Sequence, residues 1–151
     1  MKKPVKKIKV FIDTSVLIAG VASVAGASAA VLDLCESETI QMVVSRQVLV
    51  EADRNFSAKL TNLLSQYRQF IRVLAPLMGD DPPAMTVEKA SALVGPKDAA
   101  ILAAAIEEKV DYLITLDKKH FLTGKTPQDI PLEICTPADF LKIFERLFLR
   151  D

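Results

Sequence analysis

Apolar residues in this chain follow two rhythms: short unbroken runs, and longer stretches in which they recur every three or four positions. Val10-Phe11-Ile12 is the first short run, and Asp13 ends it. A run so short and uniformly apolar predicts a strand covered on both faces. Residues 14–25 are small and apolar, which predicts a turn and a short helix. Over Ala27–Glu36 the spacing of Ala30, Val31 and Leu34 predicts a helix with one inward stripe. Gln41–Val44 predicts a second strand. Ser45 follows it and suits a helix N-cap, because its hydroxyl can accept from a free backbone N–H.

Val48, Leu49, Ala52 and Phe56 then recur at helical spacing, and a further helix is predicted from about Ala58 to Phe70 with Leu60, Leu63, Leu64 and Tyr67 inward. Gly79-Asp80-Asp81-Pro82-Pro83 is the strongest breaker, too short for a linker between domains. Residues 86–94 predict a helix capped by Thr86. The stretch 97–108 follows Pro96, opens with acidic Asp98 and is apolar on nearly every side, so it predicts a central buried helix. Tyr112–Thr115 and Leu132–Cys135 predict two more strands. Residues 137–149 predict a closing amphipathic helix carrying Phe140, Ile143, Phe144 and Leu147. Strands alternating with helices imply an α/β fold, a three-layer α/β/α sandwich around a central, mostly parallel sheet. The expected layout is a basic tail over residues 1–7 and one domain over 8–151.

Composition narrows this picture. A chain of 151 residues, half of them hydrophobic, can bury a sizeable core, which excludes a disordered chain. Nineteen basic residues balance nineteen acidic ones, so attraction to phosphate must come from a local patch. Lys2, Lys3, Lys6, Lys7 and Lys9 form one such cluster, and it reads equally as a solvated tail. Cys35 and Cys135 lie in separate apolar runs without CxxC spacing, which favours burial over a disulfide. No apolar stretch reaches membrane-spanning length, and Asp13 interrupts the one that resembles a leader. The expected location is the cytoplasm, with no membrane partner.

Asp13 and Asp117 share a setting, each at or just beyond the end of a predicted strand. In open parallel sheets ligands sit beyond the carboxyl ends of the strands, so both carboxylates are expected on one rim. Asp98 opens the helix that runs back across the sheet, which places it near the same rim. Glu51 lies one to two turns into its helix among Val48, Leu49 and Ala52, and is expected to face partly inward. Gathered carboxylates repel one another, and Arg46, Arg54, Lys97, Lys118 and Lys119 are the local counter-charges. A divalent cation resolves that repulsion. All-oxygen ligation favours Mg²⁺ or Mn²⁺, and a chain with a single histidine offers no zinc cluster. Such an ion would serve phosphodiester hydrolysis by activating water, neutralising charge on phosphate and aligning the attack. His120 reads as structural or exposed. Each acid also has a plainer reading: a turn residue at Asp13, a helix cap at Asp98 and Asp117, a solvated helix residue at Glu51.

The segments FIDTSVLIAG, VLVEADRNF, KDAAILAAA and YLITLDKKHF, taken in order, resemble the successive motifs of PIN-domain proteins, most closely the compact VapC-like toxins of bacterial and archaeal toxin–antitoxin systems. The resemblance spans about residues 8 to 145. It implies catalytic and metal-holding roles for Asp13, Glu51, Asp98 and Asp117, with Thr14, Ser15 and Thr115 in support. It implies a Mg²⁺- or Mn²⁺-dependent endoribonuclease acting on RNA, often single-stranded, a small antitoxin as partner, and a homodimer. Asp53 follows Glu51 by two positions but on a different helical face, so Glu51 is the better match. Other assignments are a PIN-type nuclease of RNA processing or DNA repair, or a silent RNA-binding module. A haloacid-dehalogenase phosphotransferase would need Asp-x-Asp-x-Thr where this chain has Asp13-Thr14-Ser15-Val16. A receiver domain lacks its acidic pair and its phosphoacceptor.

Overall fold

The computed structural model describes residues 6–121 and 130–148; the predicted contributions of Lys2, Lys3 and Leu149 lie outside them. Within that range five strands form one sheet: β1 (Lys9–Ile12), β2 (Gln41–Ser45), β3 (Leu77–Gly79), β4 (Tyr112–Ile114) and β5 (Glu133–Cys135). Their order across the sheet is β3-β2-β1-β4-β5, and every neighbouring pair is parallel. Val10, Phe11 and Ile12 are fully buried in the central strand, as a run without alternation requires. Lys9, counted with the basic cluster in the sequence, opens β1 instead. Its backbone N–H donates to Asp111 Oδ2 at 2.8 Å and its ammonium to the Glu108 carbonyl at 2.7 Å.

The helices are α1 (Thr14–Ala22), α2 (Ala27–Glu36), α3 (Arg46–Lys59), α4 (Leu64–Leu74), α5 (Ala84–Ser91), α6 (Pro96–Glu107), α7 (Lys118–Phe121) and α8 (Pro137–Phe148). One layer joins α1 to α2 and α3, α2 to α8, and α3 to α4; the other joins α5 to α6, which lies against β2 and β3. The three-layer α/β/α sandwich is therefore the observed architecture. Val48, Ala52 and Phe56, four residues apart, are the fully buried stripe of α3. Phe56 stacks on Tyr67 of α4 at 4.7 Å between ring centroids, which fastens one helix to the next. Cys35 and Cys135 are free thiols in the core, and burial pushes the pKa of each up to about 12.

Three boundaries differ from the sequence reading. Helix α3 continues to Lys59, a 3₁₀ turn covers Thr61–Leu63, and α4 starts only at Leu64. Helix α5 begins at Ala84 behind Pro83, so Thr86 lies within its first turn, where its hydroxyl donates to Glu107. Strand β3 has no counterpart in the sequence pattern. Among the described residues no single helix is long and apolar enough to cross a membrane; α1 and α2 together have that composition but meet at 96°.

Candidate active site

The chain turns back at β1, with β2 and β3 laid to one side of it and β4 and β5 to the other. Such a reversal leaves a crevice beyond the carboxyl ends of the flanking strands. Ile12 pairs with Ile114, so Asp13 and Thr115 emerge side by side at that point. The Asp13 N–H donates to the Ile114 carbonyl at 3.1 Å, tying the two strand ends together.

Asp13 occupies the N-cap position of α1, yet its carboxylate makes no capping bond across the first turn. Its Oδ2 instead accepts from the hydroxyls of Thr115 at 2.8 Å and Ser15 at 3.0 Å. Each hydroxyl also accepts a backbone N–H, Thr115 from Asp117 at 3.0 Å and Ser15 from Leu116 at 3.1 Å. Two relays thus link one carboxylate to the loop that carries Asp117. Asp13 is 7% exposed. Burial raises its pKa above the ordinary carboxylate value, and the nearby Glu51 charge pushes the same way; the Thr115 and Ser15 hydroxyls and the Thr14 N–H oppose it.

Glu51 is gripped at both oxygens. Thr14 donates to Oε2 at 3.2 Å and the Gln47 amide to Oε1 at 3.1 Å. Asn55, one turn on, donates to the Glu51 carbonyl at 2.8 Å. Asp98 sits in the first turn of α6 behind Pro96, where the helix dipole favours negative charge. Asp117 follows β4 on the exposed rim. A cleft of about 290 Å³ is lined by all four acids together with Thr14, Ser15, Ile18, Asn55, Lys97 and Ile101. Thr115 stands behind it as a buried support for Asp13.

The sequence profile of the PIN domain matches residues 9–119. This chain belongs to the PIN-domain family. The fold of this PIN domain is shared with two crystal structures. One is PAE2754 from Pyrobaculum aerophilum, at 15% identity with a TM-score of 0.63, covering 92% of this chain and 90% of that one. The other is VapBC2 from Rickettsia felis bound to a DNA fragment from their promoter, at 17% identity with a TM-score of 0.60, covering 85% of this chain and 98% of that one. No curated protein matches the sequence.

The four predicted acids of the PIN domain line one cleft, but they are not drawn into a tight knot. Among the described residues no three His, Cys, Asp or Glu side chains are close enough to form a metal-binding group. The chemistry of the donor set nevertheless suits a hard cation. Every acidic or hydroxylic donor around the cleft is oxygen, and Mg²⁺ commonly keeps several waters while held through one or two carboxylates. Of the counter-charges expected from sequence, Lys97 lines the cleft. Lys118 pairs with Asp139 at 3.5 Å, while Arg46 and Arg54 line a different groove. Asp53 turns away to Arg68. Gln47 and Asn55 were missed in the sequence, although they stand four residues before and after Glu51 and so share its helical face.

Proposed function

We propose that this protein is a Mg²⁺- or Mn²⁺-dependent endoribonuclease that hydrolyses single-stranded RNA in the cleft between the ends of β1 and β4. The observation that carries the reading is one cleft lined, among the described residues, by four carboxylates and a single cationic side chain, Lys97, at the switch point of a PIN-domain sheet. Asp13, Glu51, Asp98 and Asp117 would hold the ion, directly or through its waters. When bound, such an ion supplies an activated water and offsets the charge that builds on phosphate. The chain's own part is orientation. Thr115 and Ser15 fix the plane of the Asp13 carboxylate through Oδ2, and Thr14 with Gln47 fixes Glu51. Lys97 stands where it can meet a phosphate oxygen, and Ile18 and Ile101 give the cleft wall an apolar face.

We further read the protein as the toxin of a toxin–antitoxin pair acting in the cytoplasm, with a small protein as its antitoxin and a homodimer as its assembly. The shared fold with VapBC2 supports that reading, and a short reading frame beside the gene is its direct check. The enzymatic reading is tested with single-stranded RNA and Mn²⁺. Wild type cleaves and Asp13→Asn does not, while its far-UV spectrum stays native. A wild type that binds RNA but cuts nothing across a broad panel makes the protein a silent binder instead.

A further inference from the structure

The cleft poses an electrostatic problem. Four carboxylates and one lysine repel a polyanion, and a chain with no net charge gives no global attraction to offset that. Without a bound ion, the hold on a nucleic-acid strand must come from surface next to the cleft. Helix α3 supplies it. Its Gln47-Glu51-Asn55 row faces the site, and Arg54 follows Glu51 by three positions, which makes the two neighbours on the helix surface. Arg46, Val50 and Arg54, spaced four apart, then form an exposed row over the crest of the helix.

Beyond that crest lies a groove of about 410 Å³ lined by Arg46, Leu49, Val50, Asp53, Arg54 and Met78. Its one acid is already engaged. Arg68 grips both oxygens of Asp53, at 2.8 Å and 3.0 Å. Among the described residues the ion pairs Arg68–Asp53 and Lys118–Asp139 leave Arg46 and Arg54 unengaged. The groove therefore carries two uncompensated guanidinium groups beside exposed aliphatic surface, with Val50 44% and Met78 46% accessible. Guanidinium groups bind phosphate through paired hydrogen bonds and stack on bases, and aliphatic surface shelters an unstacked base.

We propose that single-stranded nucleic acid leaves the carboxylate cleft past Glu51 and runs along the crest of α3, with Arg54 and then Arg46 each holding a phosphate and a base lying against Val50 and Met78. Eight residues of helix rise about 12 Å, so the run from Arg54 to Arg46 takes only a few nucleotides. The path beside the cleft rests on the nuclease reading; the grip itself does not. Backbone contacts carry no sequence information, so this surface sets affinity and strand path and leaves the cleavage site to other contacts.

The test measures binding of a short fluorescein-labelled oligouridine to the full chain by anisotropy, in chelator and across a salt series. Arg46→Gln with Arg54→Gln weakens binding about tenfold, and the slope of log K against log salt falls by about 1.4, at roughly 0.7 for each phosphate no longer neutralised. A matched oligothymidine loses affinity equally, because the arginines grip the backbone. Lys142→Gln on α8 serves as the charge control and leaves both quantities unchanged. Unaltered affinity and slope in the double variant, an equal loss in the control, or a wild type that binds neither strand overturns the proposal. Cleavage is scored separately. A wild type that binds but never cuts removes the nuclease and spares this surface, whereas one that cuts long RNA with the same KM in the double variant does the reverse.

Discussion

Asp13 and Ser45 hold the same position in two neighbouring parallel strands and use it differently. Each is a buried polar residue at the end of its strand and at the N-cap of the helix that follows, with extended backbone angles of −74°, 156° and −103°, 162°. Ser45 does what that position ordinarily does: its hydroxyl accepts the Val48 N–H at 3.3 Å. Asp13 forgoes that cap, worth about 1 kcal/mol, and turns its carboxylate to Thr115 and Ser15 at the cleft. Local geometry alone cannot separate the two. The adjacent strand decides, because β4 delivers Thr115 beside Asp13 and so gives the carboxylate a better-matched donor than the free helix amides.

The sharpest way to break this contrast is to exchange its consequences. Asp13→Asn lowers RNA cleavage by at least about 100-fold, the scale on which groups acting on transition-state charge are felt, measured as initial rate in Mn²⁺. Next comes Thr115→Val, which removes the donor to Asp13 and the acceptor for the Asp117 N–H. A buried group left unpaired costs about 1–3 kcal/mol, read from urea unfolding, and the cleavage rate falls with it. Ser45→Ala costs about 1 kcal/mol in the same unfolding experiment and leaves the rate unchanged; a lost rate there erases the distinction between the two strand ends.

The smallest effect is on the pH profile. Because burial raises the Asp13 pKa in the folded state, the folded protein holds that proton more tightly than the unfolded chain. The resulting contribution to stability is full below the ordinary carboxylate value and is lost as pH rises through the raised one. Measured in chelator, Tm of Asp13→Asn therefore gains on wild type as pH rises across that window. Identical pH slopes for the two proteins remove burial as the dominant influence on this acid.

Much of the layout was legible because burial leaves a plain mark. The runs at β1, β2 and β4 are largely apolar without alternation, β5 buries Ile134 and Cys135 behind an exposed Glu133, and Ser45 announces its helix. Strand β3 carried no such mark: it is three residues long, at the sheet edge, and exposes Leu77 and Met78. The start of α4 was hidden because no glycine or proline separates it from α3, and its end at Ala75 adopts a left-handed φ of 46° without a glycine. Thr86 was misplaced because Pro83 already starts its helix; proline suits that end, where an N–H is not needed. At the site, the positions of Asp13, Asp98 and Asp117 follow from strand and helix ends. Gln47 and Asn55 were readable as helical neighbours of Glu51 but carry no charge to draw notice. The relays through Thr115 and Ser15 depend on pairing between segments about a hundred residues apart, which no local pattern encodes.

That pairing also sets a timetable for synthesis. The central strand leaves the ribosome before every other strand of the sheet, but its partner β4 is roughly a hundred residues later in the chain. Until then one edge of β1 has nothing to bond, and contacts between such distant segments form late because loop closure must precede them. Asp13 and Glu51 therefore leave the ribosome well before Asp98 and Asp117 are translated. Throughout that interval a nascent chain carries only half of the proposed metal-holding set.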